Sequence, residues 1–158
     1  MKKLLTILRH GEAVIGTPGM EDYNRNLSDK GREDIIKIAQ KVKSRNTSFD
    51  CLIKSPAVRT METASLMVQE INIPLIKIEQ SMYESSLDSL LDVVRHIPLE
   101  VSNALLIGHN PSLSALISYL SLNEHINIPP GTMVRLEVFV GNWDHISRGS
   151  ASLFEVIN

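Results

Sequence analysis

Two arginines and two histidines carry the chemistry that can be read from this sequence. Arg9-His10-Gly11-Glu12 follows directly on the apolar run Leu4 to Leu8. Arg59 follows Ser55-Pro56-Ala57-Val58, and His109 stands in Gly108-His109-Asn110-Pro111 after a second apolar run. Guanidinium groups bind phosphate oxygens bidentately, and a neutral imidazole can attack phosphorus as a nucleophile. Fixed cations oppose the charge that a transferring phosphoryl group carries on its equatorial oxygens. The same arginines speak against a metal, because a bound cation wants carboxylates or thiolates beside neutral histidines, and flanking guanidinium groups repel it. Gly11 offers a sharp turn and a close ligand approach that a side chain would block.

The fold has to bring these residues together. Short apolar runs alternate with amphipathic helical spacings, which predicts an α/β fold with a mostly parallel sheet. Strands are expected at residues 4–8, 51–54, 75–78 and 104–107, with Pro74 marking the third as an edge or a strand start. Ser28 can cap a helix that buries Ile35, Ile38, Ala39 and Val42. The same spacing recurs in Ala64, Met67, Val68 and Ile71, then in Leu87, Leu90, Leu91 and Val94, and again in Leu113, Leu116, Ile117 and Leu120. Asn110 suits the N-cap of this last helix and Pro111 its first position. Segments 133–140 and 151–157 read as two further strands, joined across Gly141-Asn142, so an antiparallel edge should close the sheet. Segment 12–26, with Pro18 and two interior glycines, has no periodicity and reads as a loop. If the first, second and fourth strands are parallel neighbours, Arg9, His10, Arg59 and His109 meet at one sheet edge, where open α/β sheets bind ligands. The helix opened by Asn110 adds free backbone N–H groups for an anion.

At 158 residues the chain is expected to form one domain over residues 1–158. A net charge of −2 favours neither nucleic acid nor an anionic membrane as partner. Cys51 is the only cysteine, which excludes an internal disulfide, fits a reducing compartment and suggests a small buried hydrophobe. The start Met1-Lys2-Lys3-Leu4-Leu5 imitates a signal peptide, but its apolar stretch meets Arg9 and His10 too early. No run approaches the ~20 apolar residues of a membrane span, so a cytoplasmic protein is expected. His96, His125 and His145 lie outside any motif and read as surface or loop residues. Glu12 could orient His10 or an arginine, or only balance local charge. Arg25, Lys30 and Arg32 could contact a phosphoprotein, and a solvated helix start explains them equally well.

Three segments together resemble the histidine phosphatase superfamily: Leu8-Arg9-His10-Gly11-Glu12, Ser55 to Thr60 with Glu62-Thr63-Ala64, and Ile107-Gly108-His109-Asn110-Pro111. Asn26-Leu27-Ser28 with Gly31 is similar to a further segment of that family, and the pattern around Trp143 and Leu153 to Val156 resembles its SixA-type phosphohistidine phosphatase branch. The resemblance implies a phosphoglycerate mutase-like, three-layer αβα sandwich with a mostly parallel sheet and an antiparallel C-terminal edge. It implies His10 as a transiently phosphorylated nucleophile, with Arg9, Arg59 and His109 binding the phosphoryl group, to which the helix start at Asn110 adds a further phosphate-binding position. No cofactor or metal is implied. Larger members supply a general acid beyond the third strand, and Glu84 lies near the matching place, although a helix start also favours an acidic residue there. A protonated imidazole leaves without such help, so a phosphohistidine-bearing carrier protein is the expected substrate. A phosphatase for small metabolites or phosphoproteins with Glu84 as acid is the enzymatic rival, and a noncatalytic phospho-ligand binding module the other.

Overall fold

The computed structural model describes residues 2–158, so Met1 of the leader-like start lies outside the described residues. In chain order it comprises β1 (Lys3–Arg9), α1 (Asp29–Ser44), β2 (Cys51–Lys54), α2 (Val58–Glu70), β3 (Leu75–Ile78), α3 (Leu87–Arg95), β4 (Asn103–Gly108), α4 (Ser112–Ser121), β5 (Met133–Val138) and β6 (Ala151–Ile157). One six-stranded sheet runs β3-β2-β4-β1-β5-β6. The first four strands pair in parallel, while β5 runs antiparallel to β1 and β6 antiparallel to β5. This is the mostly parallel sheet with an antiparallel C-terminal edge that the sequence predicts.

Side-chain alternation along the central strands fills both faces. Leu5, Ile7, Ile53, Ala104 and Leu106 pack with the buried stripes of α3 and α4. Leu8, Leu52, Leu105 and Ile107 pack with those of α1 and α2. The result is a three-layer αβα sandwich. β3 lies at the edge, as Pro74 suggests, and all four of its residues are exposed. β5 ends two residues short of the expected 140, where Phe139 turns to solvent, although its N–H still reaches Ser150 O at 2.9 Å. No helix among the described residues is long and apolar enough to cross a membrane.

Two helix starts position the site. Ser28 caps α1 by accepting from Gly31 N–H at 3.0 Å, and its hydroxyl reaches Glu12 Oε1 at 2.9 Å. The start of α4 differs from the expectation. The Asn110–Pro111 peptide is cis and the helix begins at Ser112, so Pro111 is the N-cap rather than the first helical residue. Asn110 still serves the helix from one residue further out, with Oδ1 accepting from Ser114 N–H at 3.3 Å and from its hydroxyl at 2.9 Å.

Candidate active site

Because β1, β2 and β4 are parallel neighbours, their carboxyl ends release three segments over one edge of the sheet. His10 leaves β1, Ser55 to Arg59 leave β2, and His109 leaves β4. Gly11 is required here for a reason other than the turn or ligand approach expected of it. Its φ is not positive, but an added Cβ would stand 2.8 Å from Gly31 O and 2.9 Å from Ile35 Cγ1. The glycine lets α1 dock directly against the His10 turn. Thr63 ties the turn to α2, its Oγ1 accepting from Gly11 N–H at 3.2 Å and donating to Arg59 O at 2.7 Å.

His10 Nδ1 donates to Gly11 O at 2.7 Å, since a carbonyl can only accept. The ring proton therefore sits on Nδ1 and leaves the lone pair on Nε2, which accepts from Arg59 Nε at 3.3 Å. Burial, with the charges of Arg59, Arg9 and Arg25, lowers His10 to about 4 against the opposing pull of the Gly11 bond. The second histidine is close by, with ring centroids 5.1 Å apart. His109 Nε2 meets Ser55 Oγ at 2.7 Å, and Ser55 Oγ also accepts from Ala57 N–H at 3.3 Å. Ser55 Oγ can donate its proton to His109 Nε2, and in that arrangement His109 carries its own ring proton on Nδ1. Burial, His10 and the arginines hold His109 at about 3, so both imidazoles are neutral at pH 7.

Two buried nitrogens in this cluster have no partner, His109 Nδ1 and Arg9 Nε. Arg9 Nε is a donor, as is His109 Nδ1 in the arrangement above, and buried donors ordinarily find an acceptor. Arg9 is steered by its other end, Nη1 donating to Ile128 O at 3.0 Å. The Asn110 side chain is engaged within the protein: its Nδ2 donates to that same Ile128 O at 2.9 Å and to Asn127 Oδ1 at 3.0 Å, so it fixes the loop that holds Arg9.

Segment 12–26 folds over one side of the cluster. Ala13 bridges Leu27, Val14 N–H reaches Asn26 O at 2.9 Å, and a 3₁₀ turn at Asp22–Asn24 presents a carboxylate. Asp22 Oδ2 accepts from Arg59 Nη2 at 3.1 Å and from the Tyr83 hydroxyl at 3.0 Å, and Oδ1 from Arg25 Nη1 at 3.0 Å. Partial burial would raise this carboxyl, but the bonds from Tyr83, Arg25 and Arg59 outweigh it and hold it at about 2. Tyr83 also sets its ring edge-on to His109, centroids 5.7 Å apart. Sequence reasoning missed Asp22 and Tyr83, since neither stands in a motif or a periodic stripe.

The remaining candidates are placed as follows. Glu84 is exposed in a left-handed conformation (φ 50°), and its carboxylate makes no hydrogen bond or ion pair with the described residues. Glu12 faces Ser28 rather than His10. Arg25 is taken by Asp22, Lys30 by Asp34 and Arg32 by Glu62. His96, His125 and His145 are exposed, and Cys51 is buried within β2. Among the described residues no three His, Cys, Asp or Glu side chains stand together so as to hold a metal ion. A concavity of about 480 Å³ between β2, β3 and α3 contains none of the clustered residues.

Comparison with known proteins places the chain in a family. Residues 5–90 match the family model of the histidine phosphatase superfamily (branch 1), a span that holds Arg9, His10 and Arg59. A protein of Agrobacterium tumefaciens provisionally assigned as the phosphohistidine phosphatase SixA superposes with a TM-score of 0.87 at 21% identity, covering 100% of this chain and 99% of that one. The protein histidine phosphatase SixA complexed with tungstate gives 0.83 at 17% identity, covering 98% and 96%. At such identities the likeness speaks for the fold alone. An uncharacterised chloroplastic protein of Arabidopsis thaliana is 23% identical over 154 residues, which is 91% of this chain and 70% of that protein.

Proposed function

The chain belongs to the histidine phosphatase superfamily, and on that premise we propose that it removes the phosphoryl group from phosphohistidine in a protein, by way of a covalent phosphohistidine on His10. The observation that carries this reading is the tautomer of His10. Its Nδ1 proton is committed to Gly11 O, and its Nε2 lone pair lies beside a guanidinium N–H. A neutral imidazole whose unprotonated nitrogen faces a fixed cation, through one long N–H contact that an arriving phosphoryl group can replace, is a nucleophile for an anionic phosphorus centre.

In the proposed first step His10 Nε2 forms a bond to phosphorus while the bond from phosphorus to the substrate imidazole nitrogen breaks, and that nitrogen takes the electron pair. Arg9, Arg59 and His109 Nδ1–H oppose the charge on the equatorial oxygens. The His10 ring becomes cationic, and its Nδ1–H bond to Gly11 O strengthens as it does. In the second step water attacks phosphorus, the bond to Nε2 breaks with its electron pair returned to His10, and the water proton leaves on phosphate or to solvent. A substrate imidazole protonated at its other nitrogen departs neutral, so this route needs no carboxylic acid. The SixA names of two structural neighbours support the choice of substrate. The connection from β3 to α3 is short, residues 79–86, and carries no long insertion to wall off a protein-borne group.

The test is phosphate release from a phosphohistidine-bearing carrier protein in excess chelator, for the parent and for His10→Ala. Release by the parent and none by the variant is expected. Release that survives in His10→Ala would remove the covalent route, and release that the chelator abolishes would remove metal independence.

A further inference from the structure

The hydrolysis route makes no use of Asp22, yet among the described residues no other carboxylate is held by three side chains of this site. The guanidinium of Arg59 is a planar fork with five N–H donors in fixed directions. Two of its contacts lie at the outer end, Nη1 to Asp22 O at 2.8 Å and Nη2 to Asp22 Oδ2 at 3.1 Å. The inner contact, Nε to His10 Nε2 at 3.3 Å, lies toward the nucleophile. We propose that Asp22 is a positioning residue that grips the outer edge of Arg59, so that the inner edge addresses the phosphoryl group at His10. This rests on the phosphatase reading above.

Two features separate this contact from an ordinary surface ion pair, which contributes little. First, the Arg59 side chain is 8% exposed while that of Asp22 is 52% exposed, so the buried partner is the one whose direction is being set. Second, the carboxylate is itself held in place. Arg25 binds Oδ1, Tyr83 binds Oδ2, and Arg25 Nε is anchored on Val14 O at 2.9 Å. Through Tyr83 the same carboxylate reaches the other wall of the pocket, where the phenol ring meets His109. Asp22 thus links the cation beside the nucleophile to the second histidine, and it offsets part of the positive charge that Arg9, Arg25 and Arg59 gather around two neutral imidazoles.

A competing idea is that Asp22 merely fills the phosphoryl site as a resident anion. The two ideas predict opposite results when the carboxylate is removed. If Asp22 orients Arg59, Asp22→Ala lowers kcat about tenfold and weakens orthovanadate, which mimics the five-coordinate transferring group, to a similar degree. KM and the calorimetric Kd for inorganic phosphate then change by less than about threefold, since a misdirected guanidinium still attracts a ground-state anion. Asp22→Asn, which keeps an acceptor oxygen, recovers most of the loss. In an Arg59→Lys background, where there is no fork to orient, Asp22→Ala has less than about a twofold further effect. Tighter phosphate binding with faster turnover in Asp22→Ala, or full additivity with Arg59→Lys, would overturn the proposal. If Asp22→Ala does not fold, as judged by its melting transition, Asp22→Ser carries the same test. The vanadate and phosphate titrations need no turnover, so they decide the role of Asp22 even if the parent proves inactive on phosphohistidine.

Discussion

A main-chain carbonyl decides which nitrogen of His10 keeps its lone pair, whereas the partner of His109 Nε2 is a side chain. No substitution can delete Gly11 O, but Ser55 Oγ can be removed. Without it His109 Nε2 is left buried and unpaired, and the ring is free to move its proton away from Nδ1, the nitrogen that has no partner of its own. Losing one such bond to a neutral group weakens the interaction by about 1 kcal/mol. Ser55→Ala is therefore expected to lower kcat about five- to tenfold while a folded protein persists. Steady-state kinetics on the carrier substrate check this. An unchanged kcat would mean that His109 is oriented by its packing, with Ser55 only filling space.

At the scale of elements, the His10 turn and the first helix are interlocked through two glycines. Gly11 meets Gly31 O, and an added Cβ on Gly31 would stand 2.1 Å from Glu12 O and 2.9 Å from Glu12 N. Those obstacles are backbone, so they cannot swing aside as a flexible side chain could. Gly31 also donates the N–H that Ser28 caps, which couples the start of α1 to the same junction. Gly31→Ala would raise intrinsic helix propensity in the first turn of α1, yet the clash forces α1 away from the His10 turn. The clash should win, with a loss of roughly 1–3 kcal/mol in stability and reduced activity as His10 shifts. Denaturant unfolding measures the first and phosphate release the second. A stabilised Gly31→Ala variant would show that the helix dock is looser than its contacts indicate.

Over the whole molecule, what was legible in the sequence is what local chemistry writes down. Residues 51–54, 75–78 and 151–157 read as strands at their observed bounds, because apolar runs there end at Ser-Pro, at Pro74 or at the chain's polar turns. The convergence of Arg9, His10, Arg59 and His109 was legible because strand ends announce it. Asp22 was not, since its bonds to Arg59 and Tyr83 span 37 and 61 residues and exist only once segment 12–26 has folded back. The electrostatic outcome was equally hidden, because whether burial and arginines keep the histidines neutral depends on packing. It has a consequence for the molecule as a unit. His10 and His109 are held at about 4 and about 3, both below the ordinary 6.5. Between pH 6.5 and 4 the unfolded chain takes up protons on these rings that the folded chain refuses. Stability is thus complete above pH 6.5 and declines as pH falls, by up to about 1.4 kcal/mol per pH unit for each histidine. Inorganic phosphate favours the charged form of His109 and should flatten the decline. Thermal or denaturant unfolding from pH 7 to pH 5, with and without phosphate, for the parent and for His109→Gln, measures this directly. The parent should lose more stability than the variant over that interval. An equal loss in both would mean that His109 is not held neutral by its surroundings, and that the pocket accepts a cation where two arginines already stand.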